Sequence, residues 1–115
     1  MFNGGIMKEN EKVIRQNIEN LSYYKIKDQM FIWIEELSEL TKVICKWARV
    51  YDELEGDITE DLLEQFHDEI TDNTICLDQM KYVIHFLEDD LMKHYKAKVE
   101  RQANRIENER NKNNI

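Results

Sequence analysis

The scarcity of helix-breaking residues constrains this chain more than any other feature of its sequence. Its 115 residues include no proline and three glycines, of which Gly56 alone lies far from the first residues. Proline and glycine are the strongest local punctuation of secondary structure, so long uninterrupted segments are expected on both sides of Gly56. With 42% hydrophobic and 35% charged residues in this length, the sequence predicts one all-α domain over residues 1–115.

Two long helices are predicted to flank Gly56. Upstream of it, apolar residues recur at three- and four-residue spacing, which predicts a helix over about 27–54. Downstream, Asp57 and Thr59 are both suitable N-caps, so the next helix should begin near residues 58–60. A helical hairpin with its turn at Gly56 follows from this pattern.

Two further helices complete the predicted fold. The apolar pattern loses phase around residues 85–90, where acids cluster as they do in the first turn of a helix, and a last helix is expected over about 88–107. A shorter first helix is expected over about 8–22. The sequence therefore predicts a four-helix bundle with its core at about 8–107 and a frayed tail at 108–115.

The formal net charge of −8 is unevenly distributed. Residues 28–90 hold 18 acids and 4 bases, whereas residues 91–115 hold 3 acids and 7 bases. A chain with this overall charge has little long-range attraction for phosphate backbones, so no nucleic acid polymer is expected as a partner. The acidic middle and the basic end are instead expected to serve different parts of one site.

Neither a membrane span nor a signal peptide is expected. The longest obvious apolar run, Met30–Ile34, is far shorter than a span requires, and the first ten residues lack an apolar signal region. Cys45 and Cys76 are expected to be reduced thiols buried in packing, since no secretory feature accompanies them. A cytoplasmic protein with no membrane partner is predicted.

Four acidic residues form the most informative pattern. Glu36 and Glu39 lie three residues apart, on one helical face, in the most apolar part of the sequence. Glu69 and Asp72 repeat that spacing at a similar depth on the other side of Gly56. Four adjacent carboxylates repel one another unless a hard cation neutralises them, and Mg²⁺ or Mn²⁺ bound in this way implies a phosphorylated ligand.

Two other interpretations of these acids stay open. Among 24 acidic residues, pairs at spacing three also arise as ordinary solvated helix faces. A di-iron bundle requires two Glu-x-x-His motifs, and the sequence has the single motif Glu64-x-x-His67, so that alternative is weak.

The order Glu35-Glu36-x-x-Glu39 followed by Glu69-x-x-Asp72 resembles the paired EExxE and ExxD motifs of the MazG-like all-α nucleoside triphosphate pyrophosphatases. Further similarities are a glutamine seven residues before Glu36, the helix that continues after Asp72, and a basic C-terminal segment; together they cover about residues 20–106. The pair Asn73-Thr74 departs from the pattern, because the family usually has small apolar residues there. The interval between the two motifs is also long.

The resemblance implies a Mg²⁺-dependent hydrolase, with Mn²⁺ as a substitute, that cleaves a nucleoside triphosphate to the monophosphate and pyrophosphate. By position, Glu36, Glu39, Glu69 and Asp72 would hold the metal, and Glu35 would support them or orient water, which makes these five the expected catalytic set. Carboxylate-held Mg²⁺ fits this chemistry, because it clamps phosphates and lowers the pKa of a bound water.

Positive and amide side chains are expected to complete the substrate site. Lys98, Arg101 and Arg105 in the basic C-terminal segment are candidates for binding phosphates, including those in a neighbouring subunit's site, and Lys46 is a weaker one. Gln29, on the same helical face as Glu36, is a candidate for hydrogen bonding to a base. The alternative for the basic residues is an ordinary solvated helix face.

Self-association is also predicted. A helix of about 28 residues is about 42 Å long, whereas a compact chain of this length has a radius of gyration of about 13 Å. Long helices that are apolar over most of their circumference favour a MazG-like bundle assembled as a dimer or a dimer-of-dimers tetramer. The rival function is a non-catalytic helical oligomerisation or interaction protein with a degenerate MazG-like site, which Asn73-Thr74 favours.

Overall fold

The computed structural model describes residues 4–114, with side chains from residue 9 onward. This part of the chain is all-helical and contains no strand, which confirms the predicted all-α class. The helices of the described part are α1 (Gly4–Leu21), α2 (Ile26–Val50), α3 (Glu60–Val83) and α4 (Glu88–Asn113). None of these helices is long and apolar enough to cross a membrane.

The chain divides into two compact units at Ile84 and His85. In the first unit α2 and α3 form an antiparallel hairpin, and α1 packs against α3. Among the side chains that the structure describes, few apolar ones are buried, and those lie in this unit: Leu21, Val43, Cys76 and Met80. The predicted packing of both thiols holds for Cys76 only, because Cys45 is exposed.

The hairpin turn is built on two residues with left-handed backbone conformation. Glu55 has φ 54° and Gly56 has φ 80°, and the Gly56 N–H donates to the Tyr51 carbonyl oxygen at 2.9 Å. Trp47 seals the turn, since its Nε1 donates to the Asp57 carbonyl oxygen at 2.9 Å. The predicted helix stop at Gly56 is confirmed, although α2 itself ends a few residues earlier than expected.

Thr59 caps α3. Its hydroxyl oxygen accepts the Leu62 backbone N–H at 3.2 Å, whereas the Asp57 carboxylate accepts the backbone N–H of its own neighbour Ile58 at 2.8 Å. Of the two candidate caps, Thr59 therefore fills the role, as expected for a hydroxyl in extended conformation just before the first helical turn.

The second unit contains α4, which follows the predicted break in phase. His85 has φ 53°, and three acids occupy the first turn of α4, where the helix dipole favours negative charge. The helix continues to Asn113, beyond the expected end near residue 107. Apart from the half-buried Leu91, the described residues of α4 are exposed within their own unit.

Candidate metal centre

Three acidic side chains of the first unit come together across the α2–α3 hairpin. Glu36 of α2 and Glu69 and Asp72 of α3 each place one carboxylate oxygen within 4.8 Å of the others. Glu36 and Glu69 are half-buried, whereas Asp72 is exposed and leaves the group open to solvent. The sequence predicted that acids from the two sides of Gly56 would meet, and three of the four predicted ligands do so.

A buried asparagine next to this carboxylate group ties the two helices together. Asn73 Nδ2 donates to the Glu36 carbonyl oxygen at 2.9 Å and to the Glu69 carbonyl oxygen at 2.8 Å. Both hydrogens of the Asn73 amide therefore bond to backbone carbonyl oxygens of the two glutamates whose carboxylates meet in the group. Sequence reasoning noticed Asn73 as a departure from the MazG-like pattern but missed this link; its signal is a polar residue beside Asp72 in an otherwise apolar stripe.

The carboxylates resist simultaneous ionisation. Burial raises the pKa of Glu36, and the charges of Asp72 and Glu69, a hydrogen bond with the Asp72 side chain and the charge of Glu39 raise it further. Burial likewise raises the pKa of Glu69, with Asp72 and Glu39 adding to the effect and Lys42 opposing it. Because each group disfavours the charge of its neighbours, a proton or a cation stabilises the arrangement.

Two buried polar atoms at this group lack a partner. In the described part of the chain, these are Glu69 Oε2 and Asn73 Oδ1. A buried acceptor without a donor costs about 1–3 kcal/mol, and native proteins contain few of them. An oxygen-binding cation would give Glu69 Oε2 a partner, so the three acidic residues could hold a hard metal ion.

The remaining predicted acids lie at the edge of the group. Glu39 is outside the three-residue cluster, and one of its oxygens accepts from Lys42 Nζ at 3.0 Å in an exposed ion pair. Its charge is still close enough to raise the pKa of Glu36 and Glu69. Glu35 is exposed on α2 directly before Glu36.

The predicted substrate-binding residues are divided between the two units. Gln29 is buried in the first unit and donates through Nε2 to Gln79 Oε1 at 2.9 Å. Lys46 donates to Gln65 Oε1 at 3.1 Å, ten residues and therefore about 15 Å along α2 from Glu36. The three remaining basic residues are exposed on α4 in the second unit: Lys98, Arg101 and Arg105.

Comparison of the chain with protein-family models, with curated proteins and with solved structures finds no match. The resemblance to the MazG-like pyrophosphatases therefore rests on the motif residues, and the geometry of Glu36, Glu69 and Asp72 carries the functional argument.

Proposed function

We propose that this protein is a Mg²⁺-dependent nucleoside triphosphate pyrophosphohydrolase, with Mn²⁺ as a substitute metal, that releases pyrophosphate and a nucleoside monophosphate. The observation that carries the proposal is the convergence of Glu36, Glu69 and Asp72 within 4.8 Å, across the two consecutive helices of the hairpin. The unpartnered Glu69 Oε2 is a second, independent sign that a ligand belongs there.

In this proposal the three converging carboxylates hold the cation, and Glu39 is the fourth ligand. The ion pair of Glu39 with Lys42 is exposed, and such pairs contribute only about 0–1 kcal/mol, so exchange of the lysine for a cation costs little. Bound Mg²⁺ would neutralise the phosphate oxygens and lower the pKa of a water. Glu35, next to Glu36 on the exposed side of α2, would orient that water.

The positive charge for the triphosphate is assigned to α4. Lys98, Arg101 and Arg105 follow one another at spacings of three and four, which places them along one face of that helix. Their exposure leaves the guanidinium groups free to bind phosphate oxygens in pairs.

We also propose that the protein assembles as a homo-oligomer, a dimer or a dimer of dimers. Met30, Ile34, Leu37 and Ile44 follow heptad-like spacing on α2, and each is at least 44% exposed in the first unit. An apolar stripe of this length marks a surface that another helix covers. Sedimentation at micromolar concentration should give more than one chain per particle, and a stable monomer contradicts this part of the proposal.

The activity is tested by pyrophosphate release from a panel of ribo- and deoxynucleoside triphosphates with Mg²⁺, with EDTA as a blank. Turnover of at least one nucleotide is expected, together with its loss in Glu36→Gln. The matched control is Glu64→Gln, which neutralises an exposed acid of α3 outside the carboxylate group. The proposal fails if no nucleotide is hydrolysed and Glu36→Gln binds metal as the wild type does.

A non-catalytic interaction protein is the second candidate function. It is favoured by Asn73, a buried polar residue that already joins the two acid-bearing helices through their backbone. Such a protein assembles normally but releases no pyrophosphate from any nucleotide, so the same assay distinguishes the two functions.

A further inference from the structure

A second feature of the first unit is a cleft formed by α1, the turn that follows it, and the facing sides of α2 and α3. It measures about 670 Å³, within the range of about 300–1,000 Å³ that is typical of small-molecule sites. Its described lining residues are aliphatic, tyrosine or amide side chains, and none carries a formal charge at neutral pH. A neutral group with hydrogen-bonding capacity fits this lining better than an ion does.

Three amide side chains in the cleft form a relay with a fixed direction. Asn17 Nδ2 donates to the Ile75 carbonyl oxygen at 3.1 Å, which leaves Asn17 Oδ1 to accept Gln79 Nε2 at 2.9 Å. Gln79 Oε1 then accepts Gln29 Nε2 at 2.9 Å. Because a backbone carbonyl only accepts, the first hydrogen bond sets the orientation of every amide that follows.

The relay ends in a buried acceptor without a donor. Gln29 is only 7% exposed, and its Oε1 has no partner. Since Gln29 Nε2 is committed to Gln79, turning the amide over would place two oxygens against each other. A bound molecule that presents an N–H to Gln29 Oε1 removes the cost of this unpaired acceptor, whereas a phosphate or carboxylate oxygen increases it.

The cleft and the carboxylate group lie along the same face of the hairpin. Gln29 precedes Glu36 by seven residues and Gln79 follows Asp72 by seven, so two helical turns, about 10 Å, separate the two levels on both helices. A molecule with a neutral heterocycle at one end and phosphates at the other can therefore lie along the groove between α2 and α3.

We propose that this cleft binds the nucleobase of the substrate, and that Gln29 Oε1 accepts an N–H from the hydrogen-bonding edge of the base. Val13, Ile32 and Ile75 supply the apolar surface against the ring. This inference rests on the proposed function, because that function is the reason to expect a nucleotide as the ligand. Gln79 and Asn17 act as positioning residues that hold the acceptor of Gln29 in place.

The test is a calorimetric titration of the wild-type protein in EDTA with the four deoxynucleosides, which have no phosphate. Each is compared with an analogue in which every base N–H is replaced by N-methyl. At least one deoxynucleoside should bind, and its methylated analogue should bind at least tenfold more weakly, the effect of one hydrogen bond to a buried acceptor. This comparison needs no variant and so does not depend on the folding of a mutant.

Two variants locate the contact. Gln29→Met keeps the size of the side chain and should weaken the best deoxynucleoside about tenfold. Gln102→Met makes the same change at an exposed position of α4 that does not line the cleft, and it should leave the affinity unchanged. Binding of no deoxynucleoside, or equal binding of the methylated analogues, overturns the inference. Deoxynucleoside binding without pyrophosphate release from any triphosphate overturns the proposed function instead.

Discussion

The two ends of the α2–α3 hairpin are built differently. At the turn end, formed by Trp47, Tyr51 and Phe66, the Trp47 ring lies 5.5 Å from Tyr51 and 5.7 Å from Phe66, both edge to face. The Trp47 indole N–H has its partner at Asp57. The rest of the hairpin, which we call the open end, runs from Glu36 and Glu69 near the middle of the two helices to Gln29 and Gln79. There the same helices enclose carboxylates and amides. The buried polar atoms without partners in the described chain all belong to this end: Gln29 Oε1, Trp33 Nε1, Glu69 Oε2 and Asn73 Oδ1.

The aromatic packing of the turn end is a feature that folding requires, whereas the unpaired polar groups of the open end are not. Aromatic packing with satisfied polar groups at the turn end stabilises the hairpin. Apolar residues at the open end would do the same, yet the chain places polar groups there that cost free energy in the absence of a partner. Such local conflicts with folding are expected at functional sites, which supports the proposal that the open end binds a ligand while the turn end stabilises the hairpin.

The largest expected effect is loss of activity in Asp72→Asn. A metal ligand contributes several kcal/mol to transition-state stabilisation, so pyrophosphate release should fall at least about 100-fold. Stability in EDTA should be unchanged or raised, since a like charge is removed beside Glu36. Glu64→Gln, which neutralises an exposed acid on the same helix outside the group, is the control. Melting of Asp72→Asn well below the wild type in EDTA would show that the acids are structural partners.

The next effect concerns the link between the helices at the open end. Asn73→Leu removes two hydrogen bonds to the backbone of Glu36 and Glu69 and should cost about 1–2 kcal/mol of stability. Metal affinity should fall about tenfold, because supporting contacts of ligands typically have effects of this size. Thr74→Val removes a hydrogen bond within α3 only and should leave metal affinity unchanged. Equal metal affinities in the two variants would contradict the link.

At the turn end, a backbone change should affect stability alone. A Cβ at Gly56 would lie 3.1 Å from Tyr51 Oη, and the residue has φ 80°, so Gly56→Ala should cost about 1–2 kcal/mol. Glu55→Gly, at the neighbouring left-handed position, should instead increase the stability of the protein. Urea denaturation measures both, and metal affinity should match the wild type. A Gly56→Ala variant with wild-type stability but weakened metal binding would reverse the assignment of the two ends.

The smallest expected effect is the pH dependence of the metal-free protein. The pKa values of Glu36 and Glu69 are raised above the ordinary 4.5, so between that pH and the raised values the folded state binds more protons than the unfolded state. Stability in EDTA should therefore fall as pH rises through this window, by no more than about 1 kcal/mol because the group is open to solvent. Glu36→Gln should flatten the slope, and Gly56→Ala should retain it; a rising slope contradicts the carboxylate geometry.

The sequence was sufficient to predict the helices and the meeting of acids across the hairpin. Helical periodicity determines which residues share a face, and Gly56 marks where the chain reverses. These two facts were enough to predict that Glu36 lies near Glu69 and Asp72. The end of α4 was less predictable, because charged residues without an apolar stripe give no signal of where a helix stops.

The hydrogen bonds between helices were beyond prediction. The Asn73 link and the relay from Asn17 through Gln79 to Gln29 depend on the rotation and axial register of packed helices, which side-chain packing decides and spacing within one helix does not. The local pairing of Glu39 with Lys42 was readable in principle from their three-residue spacing. Sequence reasoning considered Glu39 as a metal ligand and did not consider this pairing.

A titration of the metal-free protein with Mn²⁺, with free Mn²⁺ followed by electron paramagnetic resonance, tests most directly whether the open end is a cation site. The wild type should bind saturably, with protons released as Glu36 and Glu69 become fully ionised. Glu36→Gln should bind at least tenfold more weakly, while Glu64→Gln should bind as the wild type does. Equal affinity of wild type and Glu36→Gln would contradict the assignment of the open end to ligand binding.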